Sequence, residues 1–213
     1  MGRTAFIALL TATFCTATVQ ADIVFTPEEI LQWEHKSFQG KTQFSLTEID
    51  GKQAIHAVCD ASTASGFFLE EPIDLEETPI IEWEWKLKET FSHIDESEKA
   101  GDDYALRLYA VDAHRFLRWR TRAVNYVWAS EKPKGSDWPN PYQPVAQMIA
   151  VQSGSPETSD SGWRTERRNL REDFKKYHER ALDEVDAIAI MTDCDDTNQS
   201  VEAWYGEIRL LSE

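Results

Sequence analysis

The chain has 213 residues, of which 41% are hydrophobic and 28% are charged, and this composition predicts one globular domain of ordinary size. Its formal net charge at pH 7 is −16. An acidic excess of this kind repels phosphate backbones and anionic membrane surfaces, so we exclude nucleic acid as a partner.

Residues 1–21 differ in composition from the rest of the chain. A basic start at Arg3 is followed by the mostly apolar stretch Ala5–Ala17 and by Val19-Gln20-Ala21, a small-x-Ala pattern. This order is typical of a secretory signal peptide, and the apolar part is too short to span a bilayer. We therefore expect a signal peptide over residues 1–21, a single domain over residues 22–213, no membrane insertion, and a periplasmic or secreted protein.

The first half of this domain predicts short strands. Thr26-Pro27-Glu28-Glu29 is typical of a helix start, and Asp50-Gly51 is a strong turn dipeptide. Ile80–Leu87 alternates apolar and polar side chains, which indicates one buried and one wet face, as in an antiparallel sheet. The strands expected here are Phe44–Thr47, Ala54–Cys59, Ser65–Leu69 and Ile80–Leu87.

An aromatic-rich hairpin is predicted in the middle of the chain, with strands at Tyr104–Val111 and roughly Arg118–Ala129. Alternation places Asp103, Arg107 and Tyr109 together on one face of the first strand. On the second strand, Asn125 belongs to one face and Trp128 to the other. The sequence leaves open which of these two faces adjoins Arg107.

The second half predicts a proline-rich loop over Lys132–Pro144 and one longer helix over Asn169–Arg180, where apolar residues recur at helical spacing. The strands expected here are Gln147–Val151, Val185–Met191 and Glu202–Leu211. Many short strands and little helix predict a mainly β fold. We expect an antiparallel β-sandwich of the jelly-roll type with one or two short helices.

Several segments of the chain resemble a known family. They are GDDYALRLY, NYVWAS, AIMTDCDDTN, AWYGEIRL and the spaced residues Trp163, Glu166, Arg168 and Asn169 of a W-x-x-E-x-R-N pattern. The family is bacterial and exported and is named only as domain of unknown function 3047. The resemblance covers nearly the whole predicted domain and implies no particular chemistry. The last strand pair is also similar to the end of jelly-roll carbohydrate-binding modules.

Familiar catalytic signatures are absent from the sequence. It contains no nucleophile elbow, zinc-protease motif, P-loop or dinucleotide fingerprint, and its five histidines show no metal-ligand spacing. Carboxylates are plentiful, so a glycosidase-like acid and base are left open. The candidates for such a pair are Asp102, Asp103, Glu166, Asp193 and Asp195.

The acidic turn that begins at Asp193 has two interpretations. Asp193, Asp195 and Asp196 offer the oxygen ligands that calcium prefers, but the same residues are typical of a turn that caps its own backbone. No other cofactor is predicted. Two cysteines lie outside residues 1–21, Cys59 and Cys194, and they form either a disulfide or two buried free thiols.

These features predict a polar cleft that binds a small molecule or glycan, with tryptophan rings as its apolar walls. Its expected ligand-binding residues are Asp102, Asp103, Arg107, Asn125, Trp128, Trp163, Glu166, Asp193 and Asp195. The favoured function is binding of a carbohydrate or related cell-envelope ligand. The first alternative is a carbohydrate-active hydrolase or lyase that uses paired carboxylates, and the second is an internal ion-pair network without a ligand.

Overall fold

The structure is a computed structural model, and it describes residues 22–60, 62–114, 120–157 and 162–213. The predicted signal peptide over residues 1–21 lies outside the described residues, as do the first two positions of the predicted strand Arg118–Ala129. Within the described ranges, no helix is both long and apolar enough to cross a membrane.

Two large sheets contain most of the strands. The six-stranded sheet consists of β1 (Ile23–Phe25), β3 (Gln43–Ile49), β4 (Lys52–Cys59), β7 (Ile80–Leu87), β12 (Trp163–Asn169) and β15 (Val201–Leu211). The seven-stranded sheet consists of β2 (Glu34–Gln39), β5 (Ala64–Leu69), β8 (Arg107–Asp112), β9 (Arg122–Ala129), β10 (Asp137–Pro139), β11 (Ala146–Ser153) and β14 (Ala187–Asp193). The remaining elements are β6 (Ile73–Asp74), β13 (Glu184–Val185), α1 (Pro27–Ile30), α2 (Leu170–His178) and a 3-10 turn at Lys99–Gly101.

The order of strands is β12-β7-β15-β4-β3 in the six-stranded sheet, with β1 also pairing with β15. In the seven-stranded sheet the order is β10-β11-β9-β8-β14-β5-β2. Alternate residues of the two sheets meet in one core: Trp83 of β7 stacks on Tyr126 of β9 with ring centroids 5.2 Å apart. The prediction of a mainly β sandwich of the jelly-roll type is therefore confirmed.

Local sequence patterns predicted the positions of several elements correctly. The β3–β4 hairpin turns through Asp50 and Gly51, whose φ angles of 55° and 74° are both positive, as the predicted tight turn requires. The predicted strand Ile80–Leu87 is β7 itself. The helix α2 is shorter than predicted because Asn169 caps its first turn and Glu179 ends it with a left-handed backbone conformation.

Three predictions about the strands were wrong or incomplete. The sandwich is not wholly antiparallel, because β9 and β11 pair in parallel, and residues 130–145 supply the long crossover that such a pair needs. The strand predicted to begin at Tyr104 begins at Arg107, since the Tyr104 N–H donates to the Asp193 side chain instead. The edge strand β12 was missed because its charged residues show no apolar alternation.

A disulfide joins Cys59 at the end of β4 to Cys194, the residue that follows β14. Both cysteines are fully buried. The bond connects the six-stranded sheet to the seven-stranded sheet, and the alternative of two free thiols is wrong. It also fixes the start of the acidic turn, because Cys194 lies between Asp193 and Asp195.

Candidate functional site

A cleft of about 550 Å³ lies on the outer face of the seven-stranded sheet. Leu108 and Ala110 of β8 point into the core, so Arg107 and Tyr109 point away from it toward the cleft. Small side chains on neighbouring strands leave room for the cleft above the sheet. These are Ala64, Ala123 and Ala146.

The register of β8 and β9 decides which face of β9 belongs to the cleft. Tyr109 lies opposite Asn125, and Arg107 Nε donates a hydrogen bond to Asn125 Oδ1 at 3.0 Å. Trp128 points to the opposite side, where it is 3% exposed and donates through Nε1 to the Gly154 carbonyl at 2.8 Å. The prediction that Trp128 walls the cleft was wrong, because one strand cannot present Asn125 and Trp128 on the same face.

Arg107 is the basic residue among the described residues that line the cleft. Its guanidinium lies 5.1 Å from the ring centroid of Tyr109 and 5.8 Å from that of Tyr104. Its Nη1 is 3.5 Å from Asp193 Oδ2 on β14. The charge of Arg107 is therefore already compensated within the protein by a carboxylate and by ring faces.

Asp193 and Asp103 hold the acidic turn against the segment that precedes β8. The carboxylate of Asp193 accepts the Tyr104 N–H at 2.9 Å, and the carboxylate of Asp103 accepts the N–H groups of Asp196 and Thr197 at 3.2 and 2.6 Å. Both aspartates are buried. Burial raises the pKa of Asp193, and the guanidinium of Arg107 opposes this shift because it stabilises the carboxylate. These contacts position the turn, so both residues have a structural task besides any contact with a ligand.

Asp102 is linked to the proline-rich loop through Asn140. The Asn140 side-chain nitrogen lies 2.8 Å from both carboxylate oxygens of Asp102, and its oxygen accepts the N–H groups of Tyr142 and Gln143. Asp102 is 6% exposed. Its burial raises its pKa to about 6, although the nearby charge of Arg107 opposes this shift.

Asp195 and Asp196 form the acidic side of the cleft together with Asp102. Both are half-buried, and burial raises the pKa of each, with a further increase from the negative charge of Asp103. The Tyr142 hydroxyl donates to Asp196 Oδ1 at 2.6 Å while 51% of Tyr142 is exposed. The cleft therefore has an exposed aromatic ring directly beside its carboxylates.

The other side of the cleft is apolar. Phe38 of β2 is 63% exposed, and its ring centroid lies 6.1 Å from that of Phe68 on β5. Val111 and Met191 extend this apolar surface. Our sequence reading missed Phe38, Asn140 and Tyr142. For the latter two, the signal was the pair of polar side chains within a run of prolines.

Trp163 and Glu166, both predicted to bind ligand, lie on β12 of the other sheet. The Trp163 Nε1 donates to Asp50 Oδ2 at 3.1 Å, with the Lys52 ammonium 5.3 Å from the ring centroid. Glu166 is 9% exposed and accepts a hydrogen bond from Gln152 at 2.7 Å. Neither residue lines the cleft, so the structure does not bring them together with the other predicted site residues. The structure does bring together Asp102, Asp103, Arg107, Asn125, Asp193 and Asp195.

The three carboxylates that cluster in the described part of the chain are not the three predicted calcium ligands. Oxygens of Asp103, Asp193 and Asp195 all lie within 4.8 Å of one another, and Asp103 takes the place predicted for Asp196. Calcium prefers such oxygen ligands, but Asp103 and Asp193 already accept hydrogen bonds from the protein. Calcium binding at Asp193, Asp195 and Asp196 stays a prediction.

Comparison with known families gives one match over most of the chain. The model of a family described as "Protein of unknown function (DUF3047)" matches residues 31–209. A search among curated proteins gave no match.

Solved structures with a similar arrangement of strands include carbohydrate-binding modules. A family 11 module from Clostridium thermocellum, in complex with a β-1,3-1,4-mixed-linked tetrasaccharide, is 10% identical with a TM-score of 0.47, over 90% of this chain and 95% of that one. A family 30 module of a Clostridium thermocellum cellulase is 12% identical with a TM-score of 0.47, over 85% of this chain and 91% of that one. Structural similarity at this low sequence identity does not identify a ligand for this chain.

Proposed function

Because the chain belongs to the DUF3047 family, whose description gives no activity, we propose its function from the cleft itself: it binds a carbohydrate, or a related polyhydroxylated ligand of the cell envelope. The observation that carries this proposal is the composition of the cleft. Carboxylates and amides converge on one side of it, and phenyl and aliphatic groups form the other.

Each side suits one part of a sugar. Carboxylates accept hydrogen bonds from hydroxyl groups, and amides both donate and accept them. The exposed rings of Tyr142 and Phe38 offer faces on which the apolar side of a pyranose can stack. A cleft with an apolar lining and a few well-placed polar groups is the usual form of a small-molecule site.

The polar groups are held in place before any ligand arrives. Asn125 is fixed by Arg107, and Asp102 is fixed by Asn140, whose own side chain anchors the loop that carries Tyr142. Side chains already ordered in this way lose little conformational entropy on binding. The pattern of residues 1–21 supports export, so we propose that the ligand is met in the periplasm or outside the cell.

A second candidate function is cleavage of a carbohydrate by hydrolysis or elimination. It is favoured by the pKa of Asp102, which burial raises to about 6, since a carboxyl group with such a pKa can donate a proton near neutral pH. Asp195 lines the same cleft and offers a second carboxylate.

One experiment separates the two functions. The purified protein is applied to a glycan array, and the ligands it retains are incubated with it in a reducing-sugar assay. Binding without release of reducing ends supports the binding function, and release that Asp102→Asn abolishes supports the enzyme. Tyr142→Ala should weaken retention and Trp163→Ala should not, because Trp163 lies on the other sheet. Absence of retention on the array would contradict the proposal.

A further inference from the structure

The charges in the cleft are unbalanced. Among the described residues that line it, the acidic ones are Asp102, Asp193, Asp195 and Asp196, and the basic one is Arg107. The guanidinium of Arg107 is engaged with Asp193 and Asn125. In the described part of the chain, Asp102, Asp195 and Asp196 form no ion pair with a basic side chain; Arg107 lies near Asp102, and the Lys99 ammonium lies 4.9 Å from the ring centroid of Tyr142.

The side chains that donate hydrogen bonds to Asp102 and Asp196 are neutral, and Asp195 accepts from no described side chain. Asp102 accepts from the Asn140 amide, and Asp196 accepts from the Tyr142 hydroxyl. Within the described residues, no other side chain donates to Asp195. Negative charges crowded into a partly buried site favour a positive charge among them.

The shape of the cleft distinguishes an organic cation from a metal ion. A volume of about 550 Å³ is far larger than one ion occupies, and Phe38, Phe68 and Tyr109 are among the residues that line it, with Phe38 the most exposed of the three. Aromatic faces attract an organic ammonium group as well as the apolar face of a sugar. A metal ion would leave this wall unused.

We propose that the ligand of this cleft carries a protonated amine, as an amino sugar does, held by Asp195 together with Asp102 and Asp196. This inference rests on the proposed function and specifies its ligand class. Sugars that bear carboxylate, phosphate or sulfate groups are excluded by the same three aspartates, because like charges in a partly buried site repel strongly.

The test uses four tetrasaccharides of equal length: β-1,4-linked glucosamine, its N-acetylated form, cellotetraose and galacturonic acid tetramer. Their affinities are measured by titration calorimetry. The glucosamine tetramer should bind at least about tenfold more tightly than either neutral tetramer, the worth of one charge-assisted hydrogen bond. The galacturonic acid tetramer should not bind. The preference should shrink at high salt, where exposed charges are screened.

Asp195→Asn should reduce the affinity for the glucosamine tetramer toward that for cellotetraose, because it removes one of the carboxylates proposed to hold the amine. The variant should fold, since no described side chain donates to Asp195. Glu48→Gln, an equal change of charge at an exposed position of β3, is the matched control and should have no effect. Should Asp195→Asn fail to fold, Asp196→Asn provides the same comparison. A full preference for the amine in the folded variant would overturn the inference.

The remaining outcomes separate this inference from the function on which it rests. The inference is overturned if the glucosamine tetramer and cellotetraose bind with equal affinity, or if the galacturonic acid tetramer binds. Either result leaves the proposed glycan binding in place. Calcium binding to chelator-stripped protein, with the glucosamine tetramer inert, overturns it in favour of a metal site. If none of the four tetramers binds while the array retains other glycans, the inference fails alone, and if the array retains none, the proposed function fails as well.

Discussion

Arg107 of β8 and Asp193 of β14 lie on adjacent strands with Nη1 3.5 Å from Oδ2, and their side chains are only 14% and 5% exposed. The same aspartate accepts the N–H of Tyr104, and the same arginine donates to Asn125. The pair therefore connects three strands of the seven-stranded sheet to the segment that carries Asp102 and Asp103. An ion pair buried this deeply is costly to break from one side, because the other charge is left without compensation.

The first prediction concerns this pair. Arg107→Met should lower the free energy of unfolding by about 3 kcal/mol, since Asp193 then stays buried beside Asp102 and Asp103 without its counter-charge. Adding Asp193→Asn to that variant should recover part of the loss. Urea unfolding of both single variants and the double variant gives the coupling energy. Strict additivity would show that the two residues do not act as a pair.

The second prediction is a pH dependence that originates in Asp102. Its pKa of about 6 in the folded protein lies above the ordinary value of 3.8, so the folded state holds this proton more tightly than the unfolded state. The stabilisation is complete below about pH 4 and is lost as the pH rises through 6, by at most about 3 kcal/mol. Asp102→Asn, which resembles the protonated acid, should lose less stability over this range.

Melting temperatures of the wild type, Asp102→Asn and the control Glu48→Gln across this pH range provide the measurement. Asp195 and Asp196 also have raised pKa values, so the variant should retain a shallower slope of the same sign. Parallel profiles for wild type and Asp102→Asn would contradict the assignment.

The third prediction concerns the disulfide. Cys59 and Cys194 are separated by 135 residues, and a loop of that length implies a stabilisation of about 5 kcal/mol in the chain-entropy description. Mass spectrometry of unreduced peptides should show the two cysteines linked. Reduction should lower the melting temperature and weaken ligand binding, because Cys194 holds the turn that carries Asp195. Unchanged melting after complete reduction would show that the bond adds little.

The fourth prediction compares Tyr142, which is exposed, with Trp163, which is half-buried on the other sheet. Tyr142→Ala should weaken glycan binding up to about tenfold, the worth of one stacked ring, without loss of stability. Tyr142→Phe keeps the ring and removes the hydrogen bond to Asp196, so it should lose less affinity. Trp163→Ala removes a larger ring from the six-stranded sheet and should leave affinity unchanged. Calorimetric titration ranks the variants, and a larger effect of Trp163 would move the site to that sheet.

Several features could be predicted because their causes are local. The β3–β4 turn follows from Asp50-Gly51, where both positions adopt positive φ, and β7 follows from the alternation along Ile80–Leu87. The same alternation placed Arg107 and Tyr109 together on the polar face of their strand. The residues of one segment determine features of this kind, and the sequence alone was sufficient for them.

The cleft itself depends on contacts between residues far apart in the chain, and only the tertiary structure decided them. The register of β8 against β9 selected Asn125 over Trp128, because a shift of one residue reverses every side chain of a strand. Asn140 reaches Asp102 across 38 residues, and Phe38 enters from β2 at the far edge of the sheet. Alternation within a strand assigns a residue to a face, but the pairing of strands determines which faces come together to form a site.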